Sequence, residues 1–120
     1  MVFTASLKKN HEFKRLYNKG KNAASKCVVV YQRRNGSSQN RLGITVSTKL
    51  GGAVQRNRIR RRLKEIYRLN EKSVSAGYDI VIVARMRSRF AEYKELESSV
   101  LSLFKKLGLM TNAVSGGNGI

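Results

Sequence analysis

The sequence is poor in the side chains that build most enzyme active sites. Its 120 residues include only seven acidic ones, of which Asp79 is the one aspartate, together with one histidine, His11, and one cysteine, Cys27. A single cysteine excludes an internal disulfide and a zinc site built from cysteines. A metal-dependent nuclease needs several carboxylates or imidazoles around its cations, and no phosphate-binding loop of the form GxxxxGKS or GxxxxGKT is present. We therefore expect no catalytic residue and no metal ligand in this chain.

Long apolar runs are also missing. No stretch approaches the about 18 consecutive apolar residues that a membrane span needs, and the first residues lack the apolar segment of a secretory signal. Hydrophobic residues nevertheless make up 41% of the chain, which is enough for one modest core. These features predict a single cytoplasmic domain over residues 1–110. Residues 111–120 contain several Gly and Ser and are predicted to be a disordered tail.

Positive charge is in large excess. The chain contains 25 Lys and Arg against 7 Asp and Glu, so that its formal net charge is +18. Such a charge repels itself in a compact fold, and its usual partner is a polyanion. An anionic membrane surface would favour one long basic amphipathic helix over a folded core with strands. Nucleic acid is therefore the favoured partner, and no membrane is expected.

Hydrophobic periodicity predicts six elements in the order α-β-β-α-β-α. Helices are expected over residues 10–19, 55–70 and 91–107, and strands over residues 26–32, 41–47 and 78–84. Asn10 is the expected N-cap of the first helix, and Gly20 and Gly108 are expected to end the first and last helices. The Asn35-Gly36 turn predicts that the first two strands form an antiparallel hairpin. The pattern indicates an α+β sandwich in which helices pack on a small sheet.

The middle helix combines an apolar stripe with an unusual density of cations. Residues 49–68 read KLGGAVQRNRIRRRLKEIYR, with Glu65 as the only acid. The apolar stripe consists of Ile59, Leu63, Ile66 and Tyr67. A solvated helix face usually mixes charges of both signs. A helix with cations on most of its remaining surface is suited to a phosphate backbone, which arginine binds through two hydrogen bonds.

The stretch KLGGAVQRNRIRRRLKE resembles the RNR signature of the bacterial ribonuclease P protein subunit. Three further segments resemble that family's first helix, its central strand and loop, and its later strand: LKKNHEFKRLYNKGK (7–21), RLGITVSTKLG (41–51) and YDIVIVAR (78–85). The resemblance covers about residues 7–107. Gly52 departs from the family, which usually has Asn in "GNAV", so that the turn is expected here without that side chain.

The resemblance implies a subunit of an endoribonuclease rather than an enzyme acting alone. In that family the protein assists a catalytic RNA, which removes the 5′ leader from precursor tRNA by hydrolysis assisted by Mg²⁺ bound mainly through the RNA. The family fold is a two-layer α-β sandwich with a small mixed sheet, like domain 2 of ribosomal protein S5. Its βαβ connection around the RNR helix is left-handed, although nearly all such connections are right-handed.

The resemblance also implies two RNA-binding surfaces. A cleft between sheet and first helix receives the single-stranded leader in that family, and it carries over onto Phe13, Tyr17, Val29 and Tyr31. Aromatic rings flanked by cations are typical of single-strand binding, because unpaired bases stack on them. Packing in the core is an equal alternative for Phe13, whereas the tyrosine hydroxyls favour a wet edge. The second surface, which that family turns toward the catalytic RNA, consists here of Lys49, Arg56, Asn57, Arg58, Arg60, Arg61, Arg62, Lys64 and Arg68.

Two other functions remain open from the residues themselves. Basic α+β domains of this size are also common among structural ribosomal proteins, which have no need of an aromatic cleft beside an RNR helix. A non-specific DNA-binding protein would need a helix that reads a groove. The apolar stripe of the basic helix commits that helix to the sheet instead.

Overall fold

Five strands and three α-helices make up the computed structural model, which describes residues 4–110. The strands are β1 (Thr4–Ser6), β2 (Lys21–Ala24), β3 (Val28–Arg34), β4 (Asn40–Thr45) and β5 (Tyr78–Ala84). The helices are α1 (Asn10–Lys19), α2 (Ala53–Asn70) and α3 (Tyr93–Lys106). All six predicted elements are confirmed, with bounds that agree to within about two residues. The predicted tail over residues 111–120 lies outside the described residues.

The sheet is mixed and has the strand order β1-β4-β5-β3-β2. The central strand β5 is antiparallel to β3 and parallel to β4. Its residues Ile80, Val81 and Ile82 are all fully buried, as expected for a continuous apolar run covered on both faces. Helix α2 lies between β4 and β5 in the chain and therefore forms the crossover connection between these two parallel neighbours. The left-handed sense of this connection stays a prediction.

The predicted hairpin between β3 and β4 is wrong, because β5 lies between these two strands. The Asn35-Gly36 turn is present, but Asn35 bonds to the start of β5. Its backbone N–H donates to Gly77 O at 2.9 Å and its Nδ2 donates to Asp79 Oδ1 at 3.0 Å. Asn35 Oδ1 accepts from the backbone N–H of Ser37 at 2.8 Å, which closes the turn locally. The turn therefore spans β5 instead of joining two adjacent strands.

Hydrophobic periodicity does not predict the two short edge strands, β1 and β2. Strand β1 pairs with β4, and β2 pairs with β3. Tyr67 of α2 fixes β1 from within the core, since its buried hydroxyl shares a 2.8 Å hydrogen bond with Thr4 Oγ1. Gly20 ends α1 as predicted, with extended backbone (φ −78°), and β2 begins at the next residue. Gly20 is needed for space, because a Cβ there would lie 2.6 Å from Leu16 O. Lys9, not Asn10, occupies the N-cap position of α1.

The two faces of the sheet carry separate apolar clusters. Helices α2 and α3 cover one face in the main core, which includes Val30, Ile82 and Phe104. Cys27 lies just before β3 and is buried in this main core, whereas Val29 lies on the opposite face of the sheet with Tyr31. Helix α1 covers part of the opposite face in a smaller cluster around Leu16 and Val81. The predicted class, α+β with helices packed on a small mixed sheet, is confirmed.

Candidate RNA interface

Helix α1 approaches the sheet closely because β4 has a glycine beneath it. A Cβ atom on Gly43 would lie 2.6 Å from Cζ of Phe13, so the ring occupies the space that a larger side chain would fill. Leu7 and Leu16 are buried against Val81 on the same side and anchor the helix. This packing holds Phe13 half-buried at the edge of an open part of the sheet.

Three aromatic rings follow one another from α1 onto β3. The rings of Phe13 and Tyr17 have centroids 6.5 Å apart, and those of Tyr17 and Tyr31 are 4.9 Å apart at an interplanar angle of 71°. Tyr17 is 39% exposed, and its hydroxyl shares a 3.3 Å hydrogen bond with Thr45 Oγ1. Val29 lies on the same face of β3 as Tyr31. The structure therefore brings the four predicted cleft residues together, and we call Phe13, Tyr17, Val29 and Tyr31 the aromatic cleft.

The acidic groups of α1 and β5 on this face are paired with one arginine. Arg41 donates to both carboxylate oxygens of Asp79, from Nε at 2.8 Å and from Nη2 at 2.6 Å, and it also binds Glu12. The hydrogen bond to Asp79, helped by Glu12, raises the pKa of Arg41 above its ordinary value. Burial opposes the charged form of Glu12, but the hydrogen bond and charge of Arg41 outweigh it and lower the pKa of Glu12. Two carboxylates beside the aromatic cleft thus share a cation.

The loop before α2 depends on glycine and on the first arginine of the RNR segment. Gly51 has a φ of +127°, and a Cβ there would collide with the side chain of Gln55. Gly52 takes the N-cap position with ordinary extended backbone and no side-chain cap. Arg56 is half-buried, and its Nε donates to Gly51 O at 3.2 Å. Arg56 therefore holds the loop against the first turn of the helix.

The predicted apolar stripe of α2 is confirmed, since Ile59, Leu63, Ile66 and Tyr67 are all buried. The polar residues of the helix fall on two different sides of this stripe. One side, which we call the outer face, forms an open groove of about 490 Å³ lined by Val54, Asn57, Arg60, Arg61 and Lys64. Arg60 Nη1 donates to Asn57 Oδ1 at 3.3 Å, which orders two of these side chains.

Arg58 and Arg62 face the other way, toward the 3₁₀ turn Met86–Arg89 after β5. They line a separate cleft of about 220 Å³ together with Arg89 and Phe90. Arg62 Nη1 donates to the backbone carbonyl of Ala91 at 3.0 Å and so links α2 to the start of α3. The cations of α2 thus form two surfaces instead of the single one that the sequence predicts.

Three predicted RNA-binding residues line neither the outer-face groove nor the cleft beside Phe90: Arg56, which holds the loop before α2, Lys49 and Arg68. Lys49 is exposed in the 3₁₀ turn Thr48–Leu50 that precedes α2. Arg68 lies near the end of α2 and binds both oxygens of Glu65, at 2.7 and 2.9 Å. The hydrogen bond from Arg68 lowers the pKa of Glu65 and the same bond raises the pKa of Arg68. Part of the charge of Arg68 is therefore balanced within its own helix.

Sequence reasoning missed the contribution of the turn after β5. Arg89 and Phe90 stand between two regular elements, where no periodicity marks them, and only tertiary packing brings them to α2. Among the residues that the structure describes, no three His, Cys, Asp or Glu side chains gather in a group suited to a metal ion. Within residues 4–110, no helix is both long and apolar enough to cross a membrane.

Comparisons with known proteins agree with this architecture. The sequence model of the family described as Ribonuclease P matches residues 1–108. The ribonuclease P protein component of Alkaliphilus oremlandii (strain OhILAs) is 47% identical over 108 residues, which are 90% of this chain and 95% of that protein. That of Clostridioides difficile (strain 630) is 44% identical over 104 residues, covering 86% and 91%.

Solved structures of such proteins have the same fold. The structure of the Staphylococcus aureus RNase P protein at 2.0 Å has a TM-score of 0.82 and 34% identity, with 88% of this chain and 97% of that chain covered. The RNase P protein from Thermotoga maritima has a TM-score of 0.78 and 30% identity, with 84% and 96% covered. Sequence and fold agree over nearly the whole described chain, and the chain belongs to the ribonuclease P protein family.

Proposed function

We propose that two surfaces of this ribonuclease P subunit bind two different RNAs. The outer face of α2 binds the catalytic RNA, and the aromatic cleft binds the single-stranded 5′ leader of precursor tRNA. Membership of the family makes the chain a component of the ribonucleoprotein that processes precursor tRNA, which favours this assignment over a structural ribosomal protein or a DNA-binding protein.

The observation that carries the leader assignment is the run of three partly exposed rings on an open sheet face. Their centroid separations of 6.5 and 4.9 Å fall within the range at which aromatic rings contact one another. Bases of a single strand have free faces that stack on such rings, whereas bases inside a duplex are already stacked. The exposed Lys14 lines the same cleft and supplies a cation for the phosphate backbone.

The position of α2 supports a separate contact with the catalytic RNA. Helix α2 packs on the sheet face that contains Val30 and Ile82, whereas the aromatic cleft lies on the face that contains Val81. Because the two surfaces belong to opposite faces of the sheet, one RNA can occupy each of them at the same time. Exposed Arg61 and Lys64 on the outer face are free to approach phosphates from solvent.

The chemical step is assigned to the RNA. The described residues offer no cluster of carboxylate, imidazole or thiolate groups that fits Mg²⁺. We propose that the Mg²⁺ ions are bound mainly through the catalytic RNA and that the protein works with this RNA in the cytoplasm. Its own contribution is to bind and orient, which lowers the entropic cost of placing the substrate.

The leader assignment is tested with Tyr17→Ala and Tyr31→Ala in the reconstituted holoenzyme. Each variant removes a stacking surface worth about 1–3 kcal/mol per base, so affinity for precursor tRNA is expected to fall about 5- to 150-fold. Affinity for mature tRNA, which has no leader, is expected to change by less than about twofold, since no base stack is lost.

Tyr31→Phe is the matched control, because it keeps the ring and is expected to keep affinity for precursor tRNA. A thermal melt followed by circular dichroism establishes that each variant is folded. If folded Tyr17→Ala and Tyr31→Ala lose affinity for precursor and mature tRNA equally, the leader assignment is wrong and the rings are structural.

A further inference from the structure

The exposed aromatic ring of Phe90 lies beside Arg58 and Arg62, the two arginines of α2 that do not belong to its outer face. Phe90 follows the 3₁₀ turn Met86–Arg89 and is 66% exposed. The guanidinium carbon of Arg89 lies 5.5 Å from the centroid of the Phe90 ring, within the range of a cation–π contact. Phe90 takes no part in either apolar cluster of the fold. Its ring therefore presents a free surface next to a cation.

The surroundings of this ring form an ordered cleft. Arg58 and Arg62 of α2 line one wall, and Ser88, Arg89 and Phe90 line the other. The hydrogen bond from Arg62 to Ala91 O holds the two walls together. Ser88 is buried, and its hydroxyl donates to Arg85 O at 2.6 Å, which fixes the turn that carries the ring. We call this site the turn cleft.

We infer that the turn cleft binds one unpaired nucleotide of the catalytic RNA. The base stacks on the free surface of Phe90, and its phosphate contacts Arg58 and Arg89. An aromatic ring selects an unpaired nucleotide because a base within a helix has no free face. Arginine beside the ring suits the phosphate, since its planar group donates two parallel hydrogen bonds. The inference rests on the proposed binding of the catalytic RNA by α2.

The position of the turn cleft favours the catalytic RNA over the leader. Arg58 and Arg62 come from α2, the helix whose outer face is assigned to the catalytic RNA, and the aromatic cleft lies on the opposite face of the sheet. Because the outer face and the turn cleft flank the same helix, we expect one RNA that crosses α2 to contact both. A leader that occupies the aromatic cleft is separated from Phe90 by the sheet.

The test uses Phe90→Ala and measures binding of the full-length protein to the catalytic RNA subunit transcribed from the same genome. Affinity is expected to fall about 5- to 150-fold, the range for the loss of one base stack. Met86→Ala is the matched control, because Met86 is 49% exposed in the same turn but does not line the cleft. It is expected to bind within about twofold of the unaltered protein, since it removes no stacking surface.

Phe90→Trp adds a direct readout, because the chain contains no other tryptophan. This variant is expected to retain affinity, and its fluorescence is expected to change on titration with the catalytic RNA as a base covers the indole. Met86→Trp, on the same turn, is expected to show a much smaller change.

Three outcomes would overturn the inference. The first is that the unaltered protein binds the catalytic RNA and folded Phe90→Ala binds it equally well, which leaves the proposed function intact. The second is that Phe90→Ala reduces the affinity of the assembled holoenzyme for precursor tRNA but not the affinity for the catalytic RNA. The third is that the unaltered protein itself fails to bind the catalytic RNA, which removes the proposed function as well.

Discussion

At the residue scale, Gly43 decides how closely α1 approaches the sheet. Gly43→Ala places a methyl group against the ring of Phe13, where the Cβ distance is only 2.6 Å. Displacing the ring is expected to lower the free energy of unfolding by about 1–3 kcal/mol, the usual range for overpacking. In a Phe13→Ala background the ring is absent, so that the same substitution is expected to lower it by less than about 1 kcal/mol. Urea unfolding of the four proteins measures this difference.

The result also tests the two interpretations of Phe13, which are packing in the core and binding of the leader. Equal losses for Gly43→Ala with and without the ring would show that the two residues are not coupled, and the account of how α1 is positioned would then be wrong. A coupled pair together with reduced affinity for precursor tRNA in Gly43→Ala would connect this packing contact to the aromatic cleft.

Gly52 is a second glycine at which a single side chain is expected to change the stability of the protein. It occupies the N-cap of α2 with φ −76° and ψ −178°, and a Cβ there meets no atom within 4 Å. Gly52→Asn supplies the side chain found in "GNAV", whose oxygen accepts from a free N–H of the first turn. The free energy of unfolding is expected to rise by a few tenths of a kcal/mol, about 0.3–0.5, in urea unfolding.

Gly51→Asn is the control for this prediction. Gly51 has a φ of +127°, and its Cβ position overlaps the side chain of Gln55, so that the neighbouring substitution is expected to destabilise the protein. If Gly52→Asn also destabilises, the N-cap assignment of Gly52 is wrong.

At the scale of elements, the sequence predicts what local patterns determine. The 3.6-residue spacing of Ile59, Leu63 and Ile66 places the buried face of α2 correctly, and the continuous apolar run of β5 identifies a strand buried on both faces. Edge strands β1 and β2 have no such pattern. They read TAS and KNAA, and it is their pairing with β4 and β3 that makes them strands.

Tertiary contacts explain the errors at this scale. The Asn35-Gly36 turn is a strong local signal for a hairpin, but long-range pairing of Val30 with Ile82 and of Ile82 with Ile44 places β5 between the strands.

Tertiary contacts also determine which parts of the candidate site the sequence could predict. The aromatic cleft follows from resemblance and is assembled as expected, whereas the division of the α2 cations depends on a turn about 30 residues further along the chain, beyond any helical periodicity.

The outer face of α2 predicts a salt dependence at the element scale. If its three cations and the three arginines of the turn cleft together neutralise about six phosphates, log K for the catalytic RNA falls against log salt with a slope of about −4 to −5. Arg61→Ala combined with Lys64→Ala is expected to make the slope shallower by about 1–2. Filter binding at several potassium chloride concentrations measures it.

Arg68→Ala is the matched control, because Glu65 already binds this arginine. Its effect on the slope is expected to be smaller than that of either outer-face residue. A slope that stays unchanged in the Arg61, Lys64 double variant, or a larger change in Arg68→Ala, would contradict the assignment of the outer face.

At the scale of the whole molecule, the charge cannot be balanced within the chain. Four of the seven acidic residues, Glu12, Asp79, Glu65 and Glu95, form ion pairs with just three arginines. Even complete pairing of all seven acids leaves the net charge of +18. The remaining cations require an external polyanion, and the two faces of the sheet offer it two different surfaces. The central claim is therefore that two RNAs bind the protein on opposite sides.

The most direct measurement attaches a photocrosslinker to single cysteines in the reconstituted holoenzyme. Lys14→Cys places it at the aromatic cleft and Arg61→Cys at the outer face of α2, and both positions are exposed. Cys27, the native cysteine, is fully buried and does not compete for the reagent. With precursor tRNA bound, the probe at residue 14 is predicted to crosslink the 5′ leader, and the probe at residue 61 is predicted to crosslink the catalytic RNA. Crosslinks from both positions to the same RNA would contradict the account.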